Sequence, residues 1–221
     1  MTDAGTRRLV VVRHGETLDN ASGVWQGHRD SELSPIGLAQ AEKAAPVLAA
    51  YDPQLIVTSD LVRALVTAEQ VGRAAGLPVT VDPRLREVHV GEWQGCTSAD
   101  VRRRDPDLLA AMGRGEDVRR GRTGETVAEL ALRVRAALDN VVAVLSPGRV
   151  AVVVCHGVAA RAGVASLVGL DQMQAQQVLW GLENCHWAQL AEASSVSGAP
   201  VPARWRIDAW NVREGAWSSD R

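Results

Sequence analysis

Short runs of β-branched apolar residues alternate along the chain with longer segments whose apolar residues recur every three or four positions. The short runs predict buried strands, and the 3.6-residue periodicity predicts amphipathic helices. Ser34 and Pro35 are suited to begin the first long helix, and Gly76 is suited to end the second. The predicted strands lie at residues 9–12, 54–59, 77–81 and 149–154, and the predicted long helices at 33–51, 60–76, 125–145 and 157–170.

This alternation indicates βαβ units, and so an α/β fold in which helices cover both faces of a mostly parallel sheet. A polar, glutamine-rich helix follows residue 170, and two closing strands are predicted at 185–192 and 203–211, joined by a loop at 193–202. The arginine-rich stretch 97–123 predicts a short helix and then a surface loop, inserted into one domain spanning 1–221. The length suits a single domain.

Composition narrows the class of protein. The 221 residues are 46% hydrophobic and 23% charged, with a formal net charge of −2, which is ordinary for a globular domain and gives no basic field for nucleic acid. Three cysteines do not form a disulfide framework and favour a reducing cytoplasm. The apolar run near the N-terminus is too short for a signal peptide or a membrane span, so no membrane partner is predicted.

Polar and charged residues follow the predicted strands. Arg13 and His14 follow the first strand, Arg63 lies one helical turn after the second, Glu87 follows the third, and His156 with Gly157 follows the fourth. Ligand sites of parallel sheets lie at the carboxyl ends of the strands, so these side chains are expected to meet.

This set of residues fits the chemistry of a phosphate ester. Two guanidinium groups match a phosphate dianion, and glycine backbones at helix N-termini add N–H donors. A neutral imidazole held beside the phosphate can act as a nucleophile, and Glu87 is the obvious acid for the leaving alkoxide. Each of these residues alone could have a purely structural role. For all of them to be structural, four independent structural roles would have to coincide at the ends of four strands.

The segment "LVVVRHGETLDN", residues 9–20, resembles the Arg-His-Gly signature of the histidine phosphatase superfamily, whose fold is phosphoglycerate mutase-like. The resemblance continues through "WQGHRDSELSPIGLAQA", "VTSDLVRALVTA", "LREVHVGEWQG" and "VVVCHGVAAR". It implies that His14 is phosphorylated and Glu87 donates the proton. It further implies that Arg13, Arg63 and His156 bind the phosphate, helped by Asn20, Gln26 and the Gly157 backbone. It implies no metal and no other cofactor.

The acid segment discriminates between branches of the superfamily. Mutases carry Glu-Arg-x-Tyr there, whose Arg and Tyr help to hold the substrate carboxylate, whereas this chain has Val88 and Val90. That difference favours a phosphatase of small phosphorylated metabolites. The segments "RLREVHVGEWQG" and "RWRIDAWN" are similar to those of the branch that hydrolyses glucosyl-3-phosphoglycerate, while a broad-specificity phosphatase and a mutase remain alternatives. A homodimer is compatible with the sequence.

Other interpretations stay open at this stage. The segment from Cys155 to Arg161 satisfies the C-x5-R pattern of cysteine-dependent phosphatases, but strand alternation sends Cys155 and His156 to opposite faces. A non-catalytic phosphate-binding regulator is a further alternative. Trp25 and Trp93 flank the predicted cleft, where they could stack on a sugar; a position in the core or at the rim is the alternative. The arginines of 102–122 could hold a second acidic group, form a lid or be solvated.

Overall fold

The computed structural model describes residues 5–193 and 205–215. The strands are β1 Arg8–Arg13, β2 Pro53–Thr58, β3 Val79–Val81, β4 Val150–Cys155, β5 Trp187–Glu192 and β6 Trp205–Val212. The helices are α1 Leu18–Ala21, α2 Pro35–Ala49, α3 Val62–Ala75, α4 Ser98–Arg104, α5 Pro106–Gly113, α6 Val127–Val144, α7 Gly157–Val168 and α8 Gln172–Val178. Two 3₁₀ turns, Pro83–Leu85 and Gly91–Trp93, lie between β3 and α4.

The six strands form one sheet in the order β3-β2-β4-β1-β5-β6. The first four strands are parallel, β5 pairs antiparallel with β1, and β6 pairs antiparallel with β5. This is the predicted mostly parallel sheet, and both closing strands are confirmed. Most of the predicted loop at 193–202 lies outside the described residues.

Strand alternation divides the core into two layers. Val10, Val12 and Val152 face α2 and α3, whereas Val11 and Val153 face α6 and α7. Since successive side chains of a strand point to opposite faces, runs of valine supply both layers at once. The predicted three-layer α/β/α arrangement is confirmed.

The ends of the long helices follow local rules. Ser34 Oγ accepts a hydrogen bond from Gly37 N at the start of α2, where Pro35 is the first helical residue. Gly76 ends α3 in the left-handed conformation with φ 66°. These predicted signals are confirmed. Of the helices in the described ranges, none is long and apolar enough to cross a membrane.

The arginine-rich stretch 97–123 differs from the prediction of one short helix and a surface loop. It contains two helices, α4 and α5, because Pro106 begins the second directly after Asp105. The following turn is packed rather than loose. Arg120 is only 5% exposed, and a Cβ on Gly121 would lie 2.1 Å from the carbonyl oxygen of Val90. The segment after α5 therefore packs against the chain that follows Glu87.

Candidate active site

The pairing of β1 with β4 brings the two histidines together. The parallel register places Arg13 opposite Cys155, so the next residues, His14 and His156, leave the sheet side by side. Their ring centroids are 5.1 Å apart, in an edge-to-face arrangement. Arg63 approaches from the other side of β4, because β2 is the neighbour of β4 on that side. Strand order alone therefore sets His156 between His14 and Arg63.

His14 is held as a neutral imidazole with a defined tautomer. Its Nδ1 lies 2.7 Å from the carbonyl oxygen of Gly15, and a carbonyl can only accept, so Nδ1 carries the proton and Nε2 keeps a lone pair. Burial lowers the pKa of His14 well below 6.5, and the charges of Arg63 and Arg13 lower it further. The side chain is therefore a nucleophile that does not need to lose a proton at neutral pH.

Arg63 is fully buried, with its guanidinium oriented by three acceptors. Nη1 donates to the carbonyl of Arg29 at 2.9 Å and Nη2 donates to the carbonyl of Gly27 at 2.8 Å. Nε donates to Nδ1 of His156 at 3.2 Å. The loop between α1 and α2 supplies both carbonyls, so this loop and α3 together fix the direction of the charge.

His156 receives its tautomer from Arg63. Because Nδ1 accepts the guanidinium hydrogen bond, the ring proton is on Nε2. That Nε2 is buried and has no hydrogen-bond partner among the described residues. Burial lowers the pKa of His156 well below 6.5, with Arg63 as the next cause. His156 thus offers a neutral N–H donor, which suits the oxygen of an anion.

Arg13 is the last residue of β1 and lines the same cavity as His14 and Arg63. Its Nη1 donates to the carbonyl of Leu182 at 2.7 Å, while its buried Nε has no partner among the described residues. The N-terminus of α7 comes close: a Cβ on Gly157 would stand 3.6 Å from Cδ and Nε of Arg13. The helix N-terminus at Gly157 therefore lies within van der Waals reach of this guanidinium.

Glu87 lies at the N-terminus of α7, where His156 provides no side-chain cap. Its Oε1 accepts from the amides of Val88 at 2.8 Å and Ala159 at 3.0 Å, and its Oε2 accepts from the amide of Val158 at 3.1 Å. These hydrogen bonds occupy orphan N–H groups of the helix and fix the carboxyl group in place.

The backbone of Glu87 is held as firmly as its side chain. Its carbonyl oxygen accepts from Nη2 of Arg133 at 2.7 Å and from Nε2 of His28 at 2.8 Å. Arg133 also donates to the carbonyls of Arg84 and Arg86 and forms an ion pair with Glu125. One arginine of α6 therefore fastens the whole segment that carries the carboxyl group.

Two amides complete this edge of the site. Asn20 takes part in the capping box of α1, and its Oδ1 accepts from Nδ2 of Asn184 at 3.4 Å. Asn184 also donates to the carbonyl of His14 at 3.0 Å. The Oε1 of Gln26 is buried and unpartnered within the described part of the chain. The sequence reasoning missed Asn184, because it lies in a short connection without periodicity or a strand before it.

These side chains surround a cavity of about 140 Å³. Six of the eight predicted site residues line this cavity, His156 contacts Arg63 and His14, and Gly157 lies beside Arg13, so the structure brings all eight together. A larger groove of about 680 Å³, lined by Arg8 and Tyr51 among others, contains none of them. The lining of the smaller cavity is Arg13, His14, Asn20, Val24, Trp25, Gln26, Gly27, Arg63, Glu87, Val88, Val90 and Val158.

The two tryptophans near the cavity have different positions. Trp25 lines the cavity and packs edge-to-face on Trp93, with ring centroids 5.2 Å apart. Trp93 is fully buried, and its Nε1 donates to Oδ2 of Asp105 at 2.8 Å. Of the two alternatives for Trp93, the structure supports the core position: its ring is fully buried and its indole N–H donates to Asp105.

The structure contradicts the cysteine alternative. Cys155 is completely buried in the core layer that faces α6 and α7, and burial raises its pKa to about 12. Helix α7 begins at Gly157, so the segment from Cys155 to Arg161 forms no loop that could surround a phosphate. A buried protonated thiol is a poor nucleophile.

A model of the histidine phosphatase superfamily, branch 1, matches residues 9–211. The chain belongs to the histidine phosphatase superfamily. It is a phosphomonoester hydrolase of that superfamily, which removes the alternative of a non-catalytic regulator. Within the described ranges, no three His, Cys, Asp or Glu side chains are arranged to hold a metal ion.

The chain is similar both to relatives named as phosphatases and to relatives named as mutases. The chain is 40% identical over 216 residues to glucosyl-3-phosphoglycerate phosphatase of Mycolicibacterium vanbaalenii, covering 93% of this chain and 95% of the relative. It is 35% identical over 178 residues to a probable phosphoglycerate mutase of Yersinia enterocolitica, covering 80% and 81%. The structure of a mycobacterial glucosyl-3-phosphoglycerate phosphatase complexed with VO3 superposes with a TM-score of 0.82, at 41% identity and 93% and 98% coverage.

Proposed function

We propose that this chain hydrolyses glucosyl-3-phosphoglycerate through a phosphohistidine on His14. The observation that carries the proposal is the hydrogen bond from His14 Nδ1 to the Gly15 carbonyl, which leaves Nε2 unprotonated. The proposed substrate follows the relatives named for that activity. The apolar Val88 and Val90 in the cavity wall support hydrolysis rather than isomerisation, since they cannot provide the polar contacts expected at those positions in mutases.

The reaction proceeds in two displacements at phosphorus. In the first, Nε2 of His14 forms a bond to phosphorus as the bond to the glycerate oxygen breaks, and Glu87 gives its proton to that oxygen. In the second, Glu87 takes a proton from water as the water oxygen attacks phosphorus and the N–P bond breaks. Inorganic phosphate leaves, and both side chains return to their starting states.

Charge stabilisation comes from groups that are already in place. We assign Arg13, Arg63 and His156 to the non-bridging phosphoryl oxygens, because both arginines line the cavity with His14 and the buried Nε2 of His156 has no partner among the described residues. Asn20 and Gln26 add amide groups at the cavity wall, and Gly157 lets the N-terminus of α7 approach. No metal is assigned a role in this scheme.

The test is phosphate release from glucosyl-3-phosphoglycerate by the purified protein, with and without a chelator. We expect release in both conditions, and His14→Ala to lower kcat/KM by roughly 10⁴-fold or more. Cys155→Ala is the matched control, because it removes the buried thiol and leaves the cavity intact. A phosphoenzyme trapped from the wild type should be acid-labile, as a phosphoramidate is.

Three outcomes contradict the proposal. Rapid conversion of 3-phosphoglycerate to its 2-phospho isomer indicates a mutase. Hydrolysis of many unrelated phosphomonoesters at equal kcat/KM indicates a broad-specificity phosphatase. Full loss of activity with the chelator indicates a metal mechanism. The cytoplasmic location, the homodimer and the single domain spanning 1–221 stay predictions.

A further inference from the structure

The wall of the active-site cavity has a polar part and an apolar part. The polar part consists of the charged and amide side chains assigned to the phosphoryl group and its transfer. The apolar part consists of Val24, Trp25, Val88, Val90 and Val158. The transfer of the phosphoryl group uses none of these five side chains, so they can contact another part of the substrate.

The apolar part of the wall adjoins Glu87, the acid that protonates the leaving oxygen. The Glu87 carboxylate accepts from the amide of Val88 at 2.8 Å and from the amide of Val158 at 3.1 Å, and both valines line the cavity. The bridging oxygen of the substrate must meet Glu87 for the proton transfer. The leaving alcohol, which carries that oxygen, therefore extends along the apolar part of the wall.

The cavity is too small to enclose the whole substrate. Its volume is about 140 Å³, whereas pockets that enclose a drug-sized ligand have volumes of roughly 300 Å³ or more. In glucosyl-3-phosphoglycerate the phosphate occupies the 3-hydroxyl of glycerate, so the glucosyl group is attached to the 2-hydroxyl, on the neighbouring carbon. When the phosphoryl group is in the cavity, the glucosyl ring therefore lies at the rim.

Trp25 presents a large aromatic ring at this rim, since it lines the cavity and is partly exposed. Its contact with Trp93 is edge-to-face, with an interplanar angle of 69°, so Trp93 covers at most one face of the Trp25 ring. Its Nε1 donates to Oγ of Ser98 at 3.3 Å, so the indole N–H is already used within the protein. What Trp25 offers a ligand is therefore the face of its ring.

The Trp25 ring is held in place before any substrate binds. The backbone amide of Trp25 donates to the carbonyl of Cys96, and its carbonyl accepts from the amide of Gly95, both at 2.9 Å. Trp93, on which the ring packs, is fully buried and donates to Asp105 at 2.8 Å. A ring that is fixed in this way loses little conformational entropy when a ligand packs on it.

We propose that Trp25 is the specificity residue for the sugar, and that the glucosyl ring of the substrate packs a C–H face on its indole. The C–H hydrogens of a pyranose carry partial positive charge and the face of an aromatic ring is negative, so the contact is attractive as well as hydrophobic. The proposal rests on the proposed function for the identity of the sugar. It makes the leaving group, rather than the phosphate, the part of the substrate that this chain selects.

The test compares two substrates that differ only in the glucosyl group. Glucosyl-3-phosphoglycerate and 3-phosphoglycerate share the phosphate and the carboxylate. We expect the wild type to prefer the first in kcat/KM, and Trp25→Leu to reduce that preference by roughly tenfold. Trp25→Phe, which keeps an aromatic face, should retain most of the preference. Trp180→Leu is the matched control, because Trp180 is 82% exposed and does not line the cavity.

Product inhibition provides a second measurement of the same contact. Glucosylglycerate carries the sugar without the phosphate, and inorganic phosphate is the other product. We expect the inhibition constant of glucosylglycerate to rise by roughly tenfold in Trp25→Leu, while that of inorganic phosphate changes by less than about twofold. A loss of folded protein would change neither inhibition constant.

The outcomes separate this proposal from the proposed function. A Trp25→Leu variant that keeps the wild-type ratio of the two kcat/KM values overturns the role of Trp25, although glucosyl-3-phosphoglycerate is still hydrolysed. A wild type that releases phosphate equally well from both substrates has no sugar subsite. A wild type that releases no phosphate from glucosyl-3-phosphoglycerate contradicts the proposed function, and the sugar contact fails with it.

Discussion

Arg63 donates from Nε to Nδ1 of His156 over 3.2 Å, and this single bond determines what His156 can offer a ligand. With Nδ1 occupied, the imidazole proton must be on Nε2, so the ring presents a donor rather than an acceptor to the space beside His14. The same guanidinium is held by two carbonyls of the loop between α1 and α2. A cation and a neutral donor are thereby oriented before any anion arrives.

Replacing Arg63 by lysine should separate charge from orientation. Lysine keeps the positive charge but cannot make the three divergent hydrogen bonds, so His156 loses its fixed tautomer. We expect kcat/KM to fall and the inhibition constant of inorganic phosphate to rise by roughly 10- to 100-fold. Arg73→Lys, at an exposed position of the same helix, is the control. Equal inhibition constants in Arg63→Lys and wild type would show that charge alone suffices.

The two buried histidines should make stability fall in weak acid. Burial lowers the pKa of both His14 and His156 below the unfolded value of about 6.5, so above that pH they are neutral in both states. Below that pH, His14 and His156 become protonated in the unfolded chain but stay neutral in the folded chain. The free energy of unfolding therefore decreases by up to about 1.4 kcal/mol per pH unit for each histidine.

Urea unfolding between pH 7 and pH 5 measures this effect. The free energy of unfolding of His14→Gln should depend less steeply on pH than that of the wild type. The difference in slope should be up to about 1.4 kcal/mol per pH unit, the effect of one proton. His186→Gln provides a comparison at a part-exposed histidine outside the pair. An unchanged slope in His14→Gln would mean that His14 binds a proton equally well in the folded and the unfolded chain, and so that burial does not hold it neutral in weak acid.

Arg133 should act on catalysis through the position of Glu87. It touches the carbonyl of Glu87 and not the cavity, and it also holds the carbonyls of Arg84 and Arg86. We expect Arg133→Gln to lower kcat by roughly 10- to 100-fold, because small displacements of an acid are costly. The inhibition constant of phosphate should change by less than about twofold, since Arg133 does not line the cavity that binds the phosphate.

Comparing the effect of Arg133→Gln on kcat with its effect on the inhibition constant of phosphate shows whether Arg133 positions Glu87 or stabilises the whole pocket. Arg149→Gln, at a surface ion pair with Asp52, is the control and should leave both quantities unchanged. If Arg133→Gln weakens phosphate inhibition as much as it lowers kcat, the whole pocket has been disturbed and a specific effect on Glu87 is excluded.

The loop that carries His14 depends on close contact between two glycines and the backbone. A Cβ on Gly37 would lie 1.9 Å from the carbonyl oxygen of Glu16, and one on Gly15 would lie 2.5 Å from the carbonyl oxygen of Gly37. We expect Gly37→Ala to destabilise the fold by about 2 kcal/mol or more and to lower activity, because neither backbone can move freely. Thermal unfolding measures the first effect and phosphate release the second. Gly113→Ala, where a Cβ meets nothing within 4 Å, should change neither.

Much of the fold and the site could be predicted because local signals and sheet topology agree. The valine runs before His14 and His156 could only be buried parallel strands, and such strands deliver the residues that follow them to one edge. The position of Trp93 could not be decided in this way. Its type and its position near Glu87 suggested a cleft, but whether an aromatic ring lines a cavity or fills a core depends on what packs over it, here Trp25 and Asp105.

By itself, the sequence determined the strands, the long helices and the three layers, since these follow from periodicity, and the ends of the strands indicated that Arg13, His14, Arg63, Glu87 and His156 would meet. The tertiary structure decided the properties that depend on distant partners. Arg63 set the tautomer of His156, and the N-terminus of α7 received the Glu87 carboxyl group. Five arginines of the stretch 102–122 found carboxylate partners, whereas Arg120 has none among the described residues. The sequence gives the type of each residue, but its protonation state and its hydrogen-bond partners depend on residues that become neighbours only in the folded protein.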